Sequence, residues 1–124
     1  MPQRKSVFVV DDDRSMRTSL KRLLREHGFD ATGFESASAL LTHSDFSLAV
    51  CIVLDIDLDG QSGIDLRRWL ANEGVRAPVI YITGNDSHAN RSAAIESGCV
   101  AYLTKPFTTQ SIIEAIKQAD AAVV

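Results

Sequence analysis

The sequence predicts an α/β fold: a five-stranded parallel sheet between helices on both faces. Short apolar runs alternate with amphipathic segments five times along the chain. The runs are mostly continuous rather than alternating, as strands covered on both sides are. Five strand–helix units in succession are the pattern of a parallel sheet with helical crossovers. At 124 residues the chain is read as one domain, residues 1–124, with a single core.

Each unit has its own signals. SVFVV at 6–10 is apolar and β-branched, a buried first strand. Met16, Leu20, Leu23 and Leu24 then form one helical stripe, and Gly28 is placed to end that helix. DATGF at 30–34 is a weak strand, followed by a short helix around Ser38 to Thr42. AVCIVLD at 49–55 is the most apolar strand. Leu66 and Leu70 mark the inner face of a helix that stops near Gly74. PVIYIT at 78–83 is the fourth strand, a polar helix over about 87–97 ends near Gly98, and VAYL at 100–103 is the fifth strand. Ile112, Ile113, Ile116 and Ala119 give the last helix its buried face. The polar helix has only Ala89, Ala93, Ala94 and Ile95 to anchor it, which predicts low local stability.

The totals exclude several classes. Hydrophobic residues at 45% and charged residues at 23% are ordinary for a globular domain. A net charge of -3 argues against nucleic-acid binding by the domain, since phosphate attraction needs a basic surface. The apolar run 49–54 is far too short to span a bilayer, and the N-terminus has no signal-peptide pattern, so a cytoplasmic location is expected. Cys51 and Cys99 lack zinc or redox spacing and read as small buried hydrophobes. His27, His43 and His88 lack metal-ligand spacing and read as solvent-facing.

In open parallel sheets, ligands bind beyond the carboxyl ends of the strands. Asp11, Asp12 and Asp13 follow the first strand, Asp55 the third, Thr83 the fourth, and Lys105 with Pro106 the fifth. The stretch LDIDLDG at 54–60 adds Asp57 and Asp59 at alternate positions. Like charges gathered in a half-buried cleft repel strongly. Either a cation collects them, one reacts, or the chain turns and disperses them. Mg²⁺, or Mn²⁺, suits the first option, because a hard cation takes one or two carboxylates and leaves positions for phosphoryl oxygens. Lysine supplies a point charge for the same oxygens and threonine a hydroxyl donor. An aspartate so surrounded is equipped to accept a phosphoryl group as an acyl phosphate.

Four segments in this order, VVDDD, IVLDIDLDGQSG, YITG and AYLTKPF, resemble the CheY-like receiver domains of response regulators in bacterial two-component signalling. The similarity runs from about Val7 to about Ala119 and is strongest to receivers joined to helix-turn-helix DNA-binding modules. It implies a flavodoxin-like (βα)5 three-layer sandwich with strand order 2-1-3-4-5. By the same resemblance Asp55 is the phospho-acceptor. Asp11 and Asp12 are the acidic pair, Asp12 the more direct Mg²⁺ ligand. Asp57 contributes its backbone carbonyl, with its side chain a further candidate. Thr83 and Lys105 bind the phosphoryl group. Tyr102 is the aromatic switch on the face of the fourth helix, fifth strand and fifth helix, and the peptide between Lys105 and Pro106 is cis. The implied partners are a sensor histidine kinase or a histidine phosphotransfer protein. The resemblance also admits phosphorylation-dependent homodimers through the switch face. A chain ending at Val124 fits a piece of a longer regulator slightly better than a stand-alone receiver.

Bland alternatives stand beside these roles. Asp11 to Asp13 suit the start of a helix, Thr83 a turn, Lys105 a solvated surface and Tyr102 half-buried packing. Trp69 is either packing or contact surface. Asp59-Gly60 stands where many relatives have a proline at the first position, and reads as a turn pair carrying Asp59 out of the site. Asp57 occupies a variable position of the family, and its charge is expected to tighten divalent-cation binding, directly or through a metal-bound water. The matching variable position after the threonine is Asn85, whose effect the sequence does not predict. Two rival functions remain. LDIDLDG also resembles the DxD motif of haloacid-dehalogenase-type phosphatases, with Asp55 as nucleophile and Asp57 as general acid. In those enzymes, however, the nucleophile follows the first strand, whereas here an acidic cluster precedes Asp55 and only Glu114 and Asp120 follow Lys105. The other rival is a receiver-like binding module that takes no phosphate.

Overall fold

The computed structural model describes residues 5–42, 46, 49–58 and 61–122. The elements are β1 (Lys5–Val10), α1 (Arg14–Glu26), β2 (Phe29–Phe34), α2 (Ala37–Thr42), β3 (Ala49–Asp55), β4 (Asp57–Leu58), β5 (Gln61–Ser62), α3 (Gly63–Asn72), β6 (Val79–Thr83), α4 (His88–Glu96), β7 (Ala101–Thr104) and α5 (Thr109–Ala122). Five strands form one sheet in the order β2-β1-β3-β6-β7, every pair parallel. Counting only these long strands along the chain, the order is 2-1-3-4-5, as the resemblance implied. The two-residue strands β4 and β5 pair antiparallel with each other outside that sheet. They escaped the sequence reading because two residues are too few to show a period. Asp59-Gly60 and His43 lie outside the described residues.

The sheet divides its side chains by parity, because successive residues of a strand point to opposite faces. Val7, Val9, Cys51, Val53, Ile80 and Ile82 pack against Leu20 and Leu24 of α1 and Ile112 and Ile116 of α5. Phe8, Val10, Ile52, Leu54, Val79 and Tyr81 face the other way, against Leu40 of α2, Leu66 and Leu70 of α3 and Ala94 of α4. Burial of each large aliphatic side chain here stabilises the fold by about 1.5–3 kcal/mol. Both faces are dry, so functional polar groups are left to the strand ends.

Caps place the helices relative to those ends. Asp13 caps α1 by accepting the N–H of Ser15 at 2.9 Å, and Ser62 and Ser87 cap α3 and α4 in the same manner. Beyond α1 the chain leaves through Gly28 at φ +87°, a left-handed position that suits glycine. Helix α4 is as thinly anchored as its composition predicts, although Ile95 is not one of its anchors. Of its four apolar residues only Ala94 is buried, and Ile95 is 65% exposed. Cys51 is buried but Cys99 only half-buried, Trp69 is exposed, and His27 and His88 face solvent.

Gly63, the first residue of α3, lies directly against the end of β3. Its N–H donates to Ile56 O at 2.8 Å, and a Cβ there would lie 2.2 Å from Asp55 O and 3.0 Å from Ile56 Cα. A side chain would therefore push on the backbone that carries Asp55. Gly28 has nothing within 4 Å of its would-be Cβ. Gly28→Ala should cost only the backbone strain, about 1–2 kcal/mol, and Gly63→Ala about 3 kcal/mol or more from overpacking. Urea denaturation of both variants checks the ranking.

Candidate functional site

At the end of β1 the chain is pinned before its carboxylates are placed. Asp11 N–H donates to Phe34 O at 3.1 Å and its carbonyl accepts Arg17 Nη1 at 2.7 Å. The Asp11 carboxylate is fully buried, with Oδ1 accepting Asp13 N–H at 2.8 Å and Oδ2 accepting Lys105 Nζ at 2.9 Å. Asp55, at the end of β3, is 3% exposed. Its Oδ1 accepts Asp57 N–H at 2.9 Å and its Oδ2 accepts Lys105 Nζ at 3.1 Å. Lys105 thus bridges two aspartates from different strands. Its own backbone is tied to the neighbouring strand end, Lys105 N–H donating to Thr83 O at 2.7 Å, and the following peptide bond to Pro106 is cis.

Asp12 is exposed, yet one oxygen each from Asp11, Asp12 and Asp55 lie within 4.8 Å of one another. One ammonium among three carboxylates leaves net negative charge facing solvent. These oxygens are the hard ligands that Mg²⁺ or Mn²⁺ takes, and the exposed side leaves room for the water such ions keep. The Asp57 carboxylate points elsewhere: its Oδ2 accepts Thr83 Oγ1–H at 2.7 Å. Thr83 is fully buried at the end of β6, and its oxygen also accepts Asn85 N–H at 3.0 Å. Tyr102, on β7, is partly buried, and its hydroxyl donates to Asp86 Oδ1 at 3.1 Å. Arg91 holds the other oxygen of Asp86 at 2.9 Å and lies 4.7 Å from the centre of the Tyr102 ring.

Burial raises the Asp55 pKa, and the Asp11 charge adds to that. The Asp57 N–H and Lys105 oppose the shift without cancelling it. Burial alone would lower the Lys105 pKa, but its hydrogen bonds and attraction to Asp11 and Asp55 prevail and raise it. The ion pair favours both charged forms, so the two upward shifts differ in origin. The lysine value is set by its partners, whereas the aspartate value is set by burial in spite of its partner. The site therefore favours the charged form of Lys105 and strains the charged form of Asp55.

The structure brings together Asp11, Asp12, Asp55 and Lys105, with Thr83 one strand away and linked to Lys105 through the backbone. Asp57 joins Thr83 rather than the carboxylate cluster. Sequence reasoning missed Asp86 and Arg91, which hold Tyr102 from the loop and helix after β6. It also missed Gly63, whose place as the first residue of a helix was a usable signal, because glycine there needs a steric reason.

Comparison with known proteins agrees with this arrangement. The family model described as response regulator receiver domain matches residues 7–117. Nodulation protein W of Bradyrhizobium diazoefficiens is 39% identical over 110 residues, 89% of this chain and 48% of that protein. Response regulator protein TodT of Pseudomonas putida is 34% identical over 113 residues, 91% of this chain and 50% of that protein. The solved structure titled crystal structure of FixJ-N superimposes with a TM-score of 0.89 at 33% identity, covering 99% of this chain and 98% of that one. A signalling domain is the class that this sheet and its acidic end define. The chain belongs to the response regulator receiver domain family of two-component signalling. It spans about half the length of the curated relatives it matches.

The raised Asp55 pKa has a consequence for stability. A carboxyl whose folded pKa lies above its unfolded value makes the native state bind more protons, so its ionisation destabilises the fold as pH rises through that window. Asp55→Asn should therefore be more stable than the native chain at pH 7. The gain should shrink as pH falls below the folded-state pKa and both forms become neutral. Denaturation midpoints at pH 7 and at acid pH test this; a less stable Asp55→Asn at pH 7 would contradict it.

Proposed function

We propose that this chain is a phospho-accepting receiver, residues 1–124 forming one domain, in which Asp55 takes a phosphoryl group from a phosphohistidine donor. The observation that carries the reading is the Lys105 ammonium bridging Asp11 and Asp55, with Asp12 at the open side. In the transfer, the N–P bond of the phosphohistidine breaks, an O–P bond forms on the Asp55 carboxylate, and the imidazole leaves with its electron pair and is then protonated. Asp11 and Asp12 would hold Mg²⁺ (or Mn²⁺), together with the Asp55 carboxylate and the Asp57 backbone carbonyl. The ion would neutralise charge on the phosphoryl oxygens. Lys105 keeps Asp55 oriented at rest and offers its charge to the phosphoryl group afterwards. Thr83 donates its hydroxyl, and Tyr102 responds by moving inward. Most of the catalysis is positioning and charge neutralisation.

The donor is a sensor histidine kinase or a histidine phosphotransfer protein. The domain works as a switch and catalyses only its own phosphorylation and dephosphorylation. Its changed surface, made by α4, β7 and α5, acts on an output partner, on a DNA-binding output module as the kinship suggests, or on a second copy of the chain. A cytoplasmic location follows from that role, and among the described residues no helix is long and apolar enough to cross a membrane. A phosphatase reading is weakened by Asp57, whose carboxylate is hydrogen-bonded to Thr83 and not free to serve as a general acid.

Incubation with acetyl phosphate and Mg²⁺ should add the mass of one phosphoryl group, lost in Asp55→Asn and on chelation of the metal. Intact-mass spectrometry reads the result. No adduct on the native chain would favour the phosphate-independent binding module, and an adduct that persists in Asp55→Asn would place the acceptor elsewhere.

A further inference from the structure

Thr83 and Tyr102 each carry one hydroxyl proton and can donate it once. In this structure both protons go to carboxylates outside the acceptor cluster. Thr83 Oγ1 gives its proton to Asp57 Oδ2 at 2.7 Å, the Asn85 carbonyl being a more distant acceptor at 3.2 Å. Tyr102 gives its proton to Asp86 Oδ1 at 3.1 Å, and Arg91 fixes that carboxylate at 2.9 Å while its guanidinium lies against the ring. A Thr83 hydroxyl held by Asp57 is not available to a phosphoryl oxygen on Asp55. A tyrosine held by Asp86 and Arg91 is not free to turn inward.

We propose that Asp57 and Asp86 are paired latches that hold Thr83 and Tyr102 in the resting position, so that activation has to exchange one acceptor and release the other. The inference rests on the reading of Asp55 as the phosphoryl acceptor only for what opens the first latch. A phosphoryl group there presents new anionic acceptors and takes the Thr83 proton from Asp57. The second latch is mechanically tied to the first, because Asp86 lies three residues beyond Thr83. Displacing Thr83 drags the connecting segment, moves Asp86 away from Tyr102 and frees the ring. Asp57 and Asp86 are positioning residues: neither is asked to touch the phosphoryl group. Without either latch the resting state loses an interaction the active state does not use, so the unphosphorylated domain shifts toward the active form.

The test uses the full chain and two readouts. In the first, side-chain NMR follows the Thr83 methyl, the Tyr102 ring and the ring-current shift of Arg91 protons, all without phosphate. Asp86→Ala should abolish the Arg91 ring-current shift and also move Thr83. Asp57→Ala should move Thr83 and also Tyr102. Asp57→Asn, whose amide oxygen still accepts the Thr83 proton, should stay close to the native spectrum. In the second readout, the rate of phosphorylation by acetyl phosphate should rise about two- to tenfold in Asp57→Ala, the factor one ordinary hydrogen bond carries, and much less in Asp57→Asn. Spectral changes confined to each substituted residue's own neighbour would overturn the coupling. Equal behaviour of Asp57→Ala and Asp57→Asn would show that charge, and not the hydrogen bond, is at work, and would overturn the latch. If the native chain takes no phosphoryl group, the acceptor reading falls, while the NMR comparison still decides whether the latches exist and are coupled.

Discussion

The ammonium of Lys105 sits where the carboxylates of Asp11 and Asp55 would otherwise repel each other, and much of the site depends on that contact. A parallel sheet forces the polar ends of β1 and β3 side by side, and dry packing on both faces denies those carboxylates any exit. The lysine compensates in part. Burial and the neighbouring Asp11 charge still hold Asp55 above the usual carboxylate range. Such residual strain is common where a group must react, since stability and activity pull in opposite directions. Asp12 is the one carboxylate of the three that faces solvent.

Around this charged centre the structure is graded in firmness. The face built by α1 and α5 is dense with buried aliphatics, and Asp11 is anchored through both its N–H and its carbonyl. On the other side α4 touches the core through Ala94 and the half-buried Ala93, and polar contacts tie it to the preceding loop. A change at Asp55 therefore meets a stiff wall in one direction and a yielding one in the other. Few apolar contacts mean low local stability, and here they are few around α4, beside Asp86 and Tyr102.

Most of the fold was legible because buried parallel strands and amphipathic helices leave strong periodic marks. The five long strands, five helices and the glycines at helix ends could all be read from spacing. The strand-end residues could be read too, because topology alone brings the ends of β1, β3, β6 and β7 to one edge. Side-chain allegiance could not. Nothing in LDIDLDG says that Asp57 turns to Thr83, since two oxygens of one carboxylate can serve either a metal or a hydroxyl and the choice is made by rotamer and neighbours. Asp86 and Arg91 were equally silent, because their partner Tyr102 lies on another strand and no local period links them. Ile95 was misjudged as an anchor of α4 because a helix with so few apolar residues gives no reliable phase.

The central claim is that Asp11, Asp12 and Asp55 form one cation site bounded by Lys105. Titrating Mg²⁺ into the isotope-labelled chain and following its amide resonances tests this most directly. The account predicts saturable shifts concentrated at residues 11–13, 55–57 and 105, with weaker binding after Asp12→Asn. Shifts scattered over unrelated surface carboxylates, or an affinity unchanged by Asp12→Asn, would contradict it.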